Sequence, residues 1–240
     1  GNFNGEDIIN IILEEPATAR FICRHLYNFF VADDVQVPAW TIEPARDEDA
    51  LEMMINSFVE SGYEMKAVLR TIFTSDFFKN AQFAKIKSPA EVVAGTLRLT
   101  ESNMFPGPDL PDIGPQAAYM GQDLLNPPSV EGWYTGQEWI NSGSLLARIN
   151  FVADHVADTS LPGVQNIIGY MKSDGVTTPD DFVNSALTHM GYLEVGSETR
   201  QQLLDYAQSE GNLDWNDDKV GSRVGEMLAL VGATTEYQFG

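Results

Sequence analysis

Between Glu131 and Arg148 the chain gathers side chains that could bind something: Trp133 and Trp139 offer broad apolar faces, while Glu131, Glu138 and Asn141 offer hydrogen-bonding groups. Aromatic faces flanked by carboxylates and a carboxamide suit a sugar or a peptide. The same residues also read as packing. Pro127, Pro128, Gly132 and Gly136 stiffen the stretch and turn it sharply, and indoles would anchor such a segment across other helices. Both readings are open at this level. Arg148 is the only lysine or arginine between Arg98 and Lys172, and its planar fork suits several acceptors at once. We expect carboxylates or carbonyls of the 127–141 segment to hold it.

Other constellations lack a part that their chemistry needs. Serine catalysis calls for a base within reach and a strained nucleophile turn, whereas "NSGSLLAR" has no G-x-S-x-G pattern. The three histidines, His25, His155 and His189, are not paired at metal-ligand spacing on one helix face. Asp214, Asn216 and Asp218 match the first three ligand positions of a calcium loop. Lys219 then stands where a glycine is required and Glu226 falls one residue late, so these acids read as groups that charge-stabilise the next helix. Cys23 is the single cysteine, which removes disulfides, c-type haem attachment and tetrahedral cysteine zinc sites. No cofactor or metal is implied. Paired carboxylates for glycoside hydrolysis cannot be picked by spacing among 35 acids, so whether the chain is an enzyme is left open.

Charge narrows the partners. A formal net charge of -21 repels phosphate backbones and anionic lipid, which argues against nucleic acid and membrane surfaces. No apolar run approaches the length of a membrane span, and residues 1–15 lack the pattern of a signal peptide. One stretch runs the other way. Lys66, Arg70, Lys79, Lys85, Lys87 and Arg98 face only Asp76 and Glu91, a local excess that either neutralises acidic neighbours or docks an acidic partner.

The elements that must position these residues are helical. Apolar residues recur at helical spacing in "GEDIINIILEE", in residues 17–30, in "ARDEDALEMMINSFVES" and in "SGSLLARINFVADHVAD". Ser61 with Glu64, and Ser88 with Glu91, fit capping boxes, and Pro89 and Pro179 suit first-turn positions. Helices are therefore predicted to begin near 62, 89 and 179, with others at 197–209 and 217–232. Pro106, Pro108, Pro111, Pro115, Pro127 and Pro128 interrupt the rhythm over 102–141, read as an ordered connector around a short helix at 115–125. The expectation is an all-α fold of about nine helices in one domain over 1–240, split by that connector into helical parts 1–101 and 142–240. "VLRTIFTSDFFK" and "MLALVGATTEYQF" each close a helix with a hydroxyl, an acid and an aromatic, the pattern of a capped terminal turn packed back on the core.

Three stretches carry a resemblance. "PPSVEGWYTGQEWINSGSLLARINF" at 127–151, "AKIKSPAEVVAGTLR" at 84–98 and the closing "MLALVGATTEYQF" at 227–239 resemble, in order, motifs of the bacterial domain of unknown function 1800 family. "GNFNGEDIINIILEEPATARFICRHLYNFFVADD" is similar to an interior segment of that family. Tyr134 departs from it, standing where members have a proline after the Gly-Trp pair. The resemblance implies that the chain is the C-terminal half of a longer, exported, extracytoplasmic protein. It also implies that the missing N-terminal half, or another protein chain, is its partner. It brings no catalytic mechanism. The functional expectation is an interaction or scaffold module, with half of a hydrolase acting on extracellular polymer as the alternative.

Overall fold

The computed structural model describes residues 3–103 and 110–240, the side chains of 110–112 excepted. Among them are twelve α-helices and no strand, so the all-α expectation holds and the count of about nine is corrected upward. The backbone divides into two compact units, Gly1–Lys85 and Ile86–Gly240.

The first unit contains α1 (Gly5–Glu14), α2 (Pro16–Phe30), α3 (Glu48–Glu60), α4 (Met65–Thr74) and the single turn α5 (Asp76–Lys79). Its core forms where the apolar stripes of α2, α3 and α4 meet, through Cys23, Tyr27, Leu51, Met54, Phe58, Val68 and Ile72. Pro16 opens α2, where a missing N–H is harmless. Ser61 Oγ accepts the Glu64 N–H at 3.2 Å, the hydrogen bond expected of it. It lies in a turn rather than at a helix start: Ser61 ends α3, and α4 starts at Met65 rather than 62, with Glu64 at its cap.

The second unit contains α6 (Pro89–Thr100), α7 (Leu110–Tyr119), α8 (Ser142–Ala157), α9 (Pro162–Ser173), α10 (Pro179–His189), α11 (Ser197–Ser209) and α12 (Val220–Gly232). Ser88 and Glu91 close the expected capping box on α6, and Thr178 caps α10 ahead of Pro179. Two glycines let α12 lie close against α8. A Cβ at Gly225 would sit 2.9 Å from the Ala157 carbonyl, and one at Gly232 only 2.6 Å from Val152 Cγ1. Val152, Val224, Met227, Leu228 and Val231 fill the seam, and Phe182, Val183 and Ala186 of α10 extend it. The short helix expected at 115–125 is α7, which starts earlier and carries Pro115 inside it. Residues 104–109 of the expected connector lie outside the described residues.

Both terminal turns form as capped turns. Ser75 Oγ accepts the Phe78 N–H to start α5. Thr234 Oγ1 accepts the Tyr237 N–H as the chain enters a 3-10 turn at Glu236–Gln238. Tyr237 is buried. Beyond it Phe239 forms an isolated antiparallel bridge with Ile86, the Lys87 N–H donates to the Gln238 carbonyl at 2.9 Å, and Lys87 Nζ donates to the Tyr237 carbonyl at 2.7 Å.

Candidate functional site

The 127–141 segment is built around two backbone positions that favour glycine. Gly132 at φ +100° and Gly136 at φ +59° occupy the left-handed region, where a side chain would be strained. Ser129 organises the first turn: its carbonyl accepts the Gly132 N–H and its hydroxyl accepts the Glu131 N–H. Trp133 is half-buried and donates its indole N–H to the Asp123 carbonyl at 3.2 Å. A 3-10 turn at Gly136–Trp139 then drops Trp139 into the interior, with 5 % of its surface left exposed.

That burial decides what the indoles can do. Trp139 has no open face on which a sugar could stack, and Trp133 presents only part of its ring. Glu131 and Glu138 are exposed. Asn141 is occupied as the cap of α8: its Oδ1 accepts the N–H groups of Gly143 and Ser144, while the Ser144 hydroxyl accepts the Asn141 N–H. Ser144 Oγ also donates to the Trp139 carbonyl at 2.6 Å, which ties the 3-10 turn to the helix.

Arg148 lies about one turn beyond Ser144 on α8 and is wholly buried. Its described partner is not in the 127–141 segment. Nη1 donates to the Lys87 carbonyl at 2.8 Å, while Nε and Nη2 are buried without a partner among the described residues. The expectation that connector acceptors hold it is corrected: the helix cap consumes Asn141, and Glu131 and Glu138 point to solvent. Burial pushes the Arg148 guanidinium down to about 10, opposed by the charge of Glu91.

Beside this segment the second unit carries a cleft of about 390 Å³. Its walls are mainly apolar: Ile140 from the end of the 3-10 turn, Leu145 and Ile149 from α8, and Ile86 with Phe239 from the bridge. Gln137, Thr234, Thr235 and Gln238 supply the polar groups, and no ionisable side chain lines it. Gln238 is 4 % exposed and donates Nε2 to the Gly232 carbonyl at 3.3 Å, which fixes the carboxamide's orientation. Its Oε1 is buried and has no partner among the described residues.

The remaining candidates are placed elsewhere. Asp214 Oδ1 accepts from the backbone and side-chain amides of Asn216, both at 3.0 Å, and Asp217 Oδ1 accepts the Lys219 N–H. No side chain caps α12 and its first turn carries no acid, so these residues form a local turn ahead of the helix. Among the described residues no cluster of three or more His, Cys, Asp or Glu is arranged to hold a metal ion. Cys23 is fully buried and burial pushes its thiol up to about 11, away from the reactive thiolate. His155 Nδ1 lies 2.8 Å from the Phe151 carbonyl, and the His189 ring stacks on Tyr170. The basic stretch does not form one free patch. Lys79 pairs with Asp76, Lys85 lies 3.5 Å from Asp33, and Lys87 is drawn into the second unit over the Tyr237 ring.

A different surface was only half-visible in the sequence. α1 has no buried residue at all: Ile8, Ile9, Ile11 and Ile12 are 49, 57, 47 and 51 % exposed. The helix is well formed, with Asn4 and Asp7 closing a reciprocal cap. Its ends are acidic, with Glu6 and Asp7 in the first turn and Glu14 and Glu15 at the last. Among the described residues no helix is long and apolar enough to cross a membrane.

The family model described as protein of unknown function DUF1800 matches residues 1–239, and the chain belongs to that family. No curated protein and no solved structure matches it.

Proposed function

We propose that this chain is an interaction module of an exported bacterial protein, and that α1 is the surface through which it docks. Family resemblance supports the further reading that the chain is the C-terminal half of a longer polypeptide, whose upstream half covers α1. The observation that carries the proposal is the helix itself. Four isoleucines, each about half exposed on a capped ten-residue helix, form the kind of contiguous apolar surface that marks an interface. Leu13, at the end of the same helix, is tied into the first unit through its carbonyl, which accepts the Tyr63 hydroxyl at 2.7 Å. The helix is thus anchored at its C-terminal end while its apolar side waits for cover. Acidic residues at both ends call for a partner with an apolar strip and basic flanks, assembled with salt-dependent affinity.

The polymer-hydrolase reading has less to stand on, because Trp139 is shut in and Asn141 is spent on a cap. Light scattering on the chain alone and with the upstream half added tests the proposal. A one-to-one complex is expected, weakened at least tenfold by Ile9→Glu or Ile12→Glu with little change in melting. A monomer indifferent to the upstream half, with α1 variants indistinguishable from wild type, would sink it.

A further inference from the structure

The cleft in the second unit shares no residue with α1. We propose that it binds a small, neutral, mainly aliphatic molecule that presents one hydrogen-bond donor, with an aliphatic alcohol as the simplest member of the class.

Size permits this. The volume of about 390 Å³ falls in the range of roughly 300–1,000 Å³ typical of small-molecule sites. Wall chemistry selects the class. The aliphatic and aromatic side chains of Ile86, Ile140, Leu145, Ile149 and Phe239 favour a hydrocarbon body. No carboxylate, lysine or arginine lines the cleft, so a charged group entering it would lose water and gain no counter-charge.

The polar requirement comes from Gln238. A buried amide oxygen without a partner is costly, and such groups in native proteins call for an explanation. Because Nε2 is committed to the Gly232 carbonyl, the unmatched valence of this lining residue is an acceptor, and it sits just under the cleft surface with almost no accessible area of its own. A small turn of the side chain would present it to a ligand hydroxyl or amide N–H. A carboxylate would set negative charge against that oxygen inside a chain of net charge -21 and is disfavoured.

The lining is drawn from distant parts of the chain: Ile86, four residues between 137 and 149, and five between 233 and 239. Stretches more than 140 residues apart in the chain meet at this one cleft.

The test titrates the full chain with 1-octanol, octyl methyl ether and octanoate, followed by calorimetry and by amide NMR shifts. Saturable one-site binding of 1-octanol is expected, with the ether, which has no donor, and octanoate each at least tenfold weaker. Leu145→Trp fills the cleft and should weaken octanol at least tenfold. Ala233→Phe, at an exposed position on the rim, gives the same result by a milder change. Gln238→Met should bind octanol and the ether alike. Ile12→Glu on α1 should change nothing, which separates this site from the docking helix. The proposal is overturned if wild type binds no octanol saturably, if octanoate binds as well as octanol, or if the cleft variants retain binding that Ile12→Glu removes. The ligand series on wild type decides the matter even where a variant fails to fold.

Discussion

Each unit closes completely over one arginine, and the two are served in opposite ways. In the first unit Arg24 donates Nε and Nη2 to the two oxygens of Asp34 at 2.8 and 3.2 Å, Nη1 to the Glu43 carbonyl and Nη2 also to the Pro44 carbonyl. Its guanidinium lies 4.7 Å from the centre of the Trp40 ring. In the second unit Arg148 makes one described hydrogen bond and leaves two donors unmatched. The first arrangement organises structure: one side chain of α2 gathers the segment from Asp34 to Pro44, which has no helix longer than a 3-10 turn to hold it. The second is a cation carried into the interior with little return. Burial of a charge is thus not one phenomenon. Its sign depends on how many acceptors come with it.

The largest expected effect tests the saturated site. Asp34→Asn leaves Arg24 buried without its counter-charge and should cost about 3–5 kcal/mol in a denaturant or thermal melt. A loss below about 1 kcal/mol would mean that the carbonyls alone suffice. The next test concerns the starved site. Arg148→Met keeps an unbranched apolar stem, removes the desolvated cation and gives up one hydrogen bond worth about 1 kcal/mol, so stability should stay near wild type or rise. If this variant falls as far as Asp34→Asn, the two unmatched donors have partners in solution and the contrast collapses.

The same pair of proteins has a pH signature. Burial pulls the Arg148 guanidinium down to about 10, well below its ordinary value, so the unfolded chain holds its proton to higher pH than the native one. Wild type therefore gains stability as pH rises through that interval, whereas below about 10 the full penalty is present. The stability difference between wild type and Arg148→Met should shift toward wild type above pH 10.

The smallest effect belongs to His25, which sits 4.4 Å from the Phe21 ring and 4.6 Å from the Trp40 ring. His25 is exposed at its edge, and partial desolvation beside these rings lowers its pKa, so below about 6.5 the unfolded chain binds a proton that the fold resists, and stability falls as pH drops through that value. His25→Gln should flatten the melting temperature between pH 7.5 and 5. An unchanged slope would assign it to other groups.

Periodicity and caps made most helices readable, because an apolar stripe and a Ser-x-x-Glu start are local facts. Ser88, Pro89 and Glu91 did in the fold what their types suggested. α9 was missed for a physical reason: "LPG" at 161–163 reads as a breaker, yet Pro162 is a first-turn proline and Gly163 is a contact residue. A Cβ there would lie 2.2 Å from the Leu99 carbonyl, a neighbour that no sequence window contains. Tertiary partners were the least legible. Arg24 sits on the same buried stripe as Ala19, Cys23 and Tyr27, ahead of an Asp33-Asp34 pair, and that combination of a cation among core positions with nearby acids was the available signal. Arg148 was singled out correctly as unusual, but its acceptor belongs to residue 87, far outside the segment searched. Nothing local distinguishes Gln238, whose importance arises only from what lies around it.

The Ile86–Phe239 bridge has a mechanical consequence. It sets residues 86 and 239 side by side, so tension on the polypeptide at residues 85 and 240 pulls both paired segments from the same end. An antiparallel pair loaded in that direction peels one hydrogen bond at a time instead of shearing them together. The Lys87 contacts to Tyr237 and Gln238 come next under load, before any helix is strained. Ile86 and Phe239 are also walls of the cleft, so the first increment of stretch would open the pocket and leave the α8–α12 seam intact.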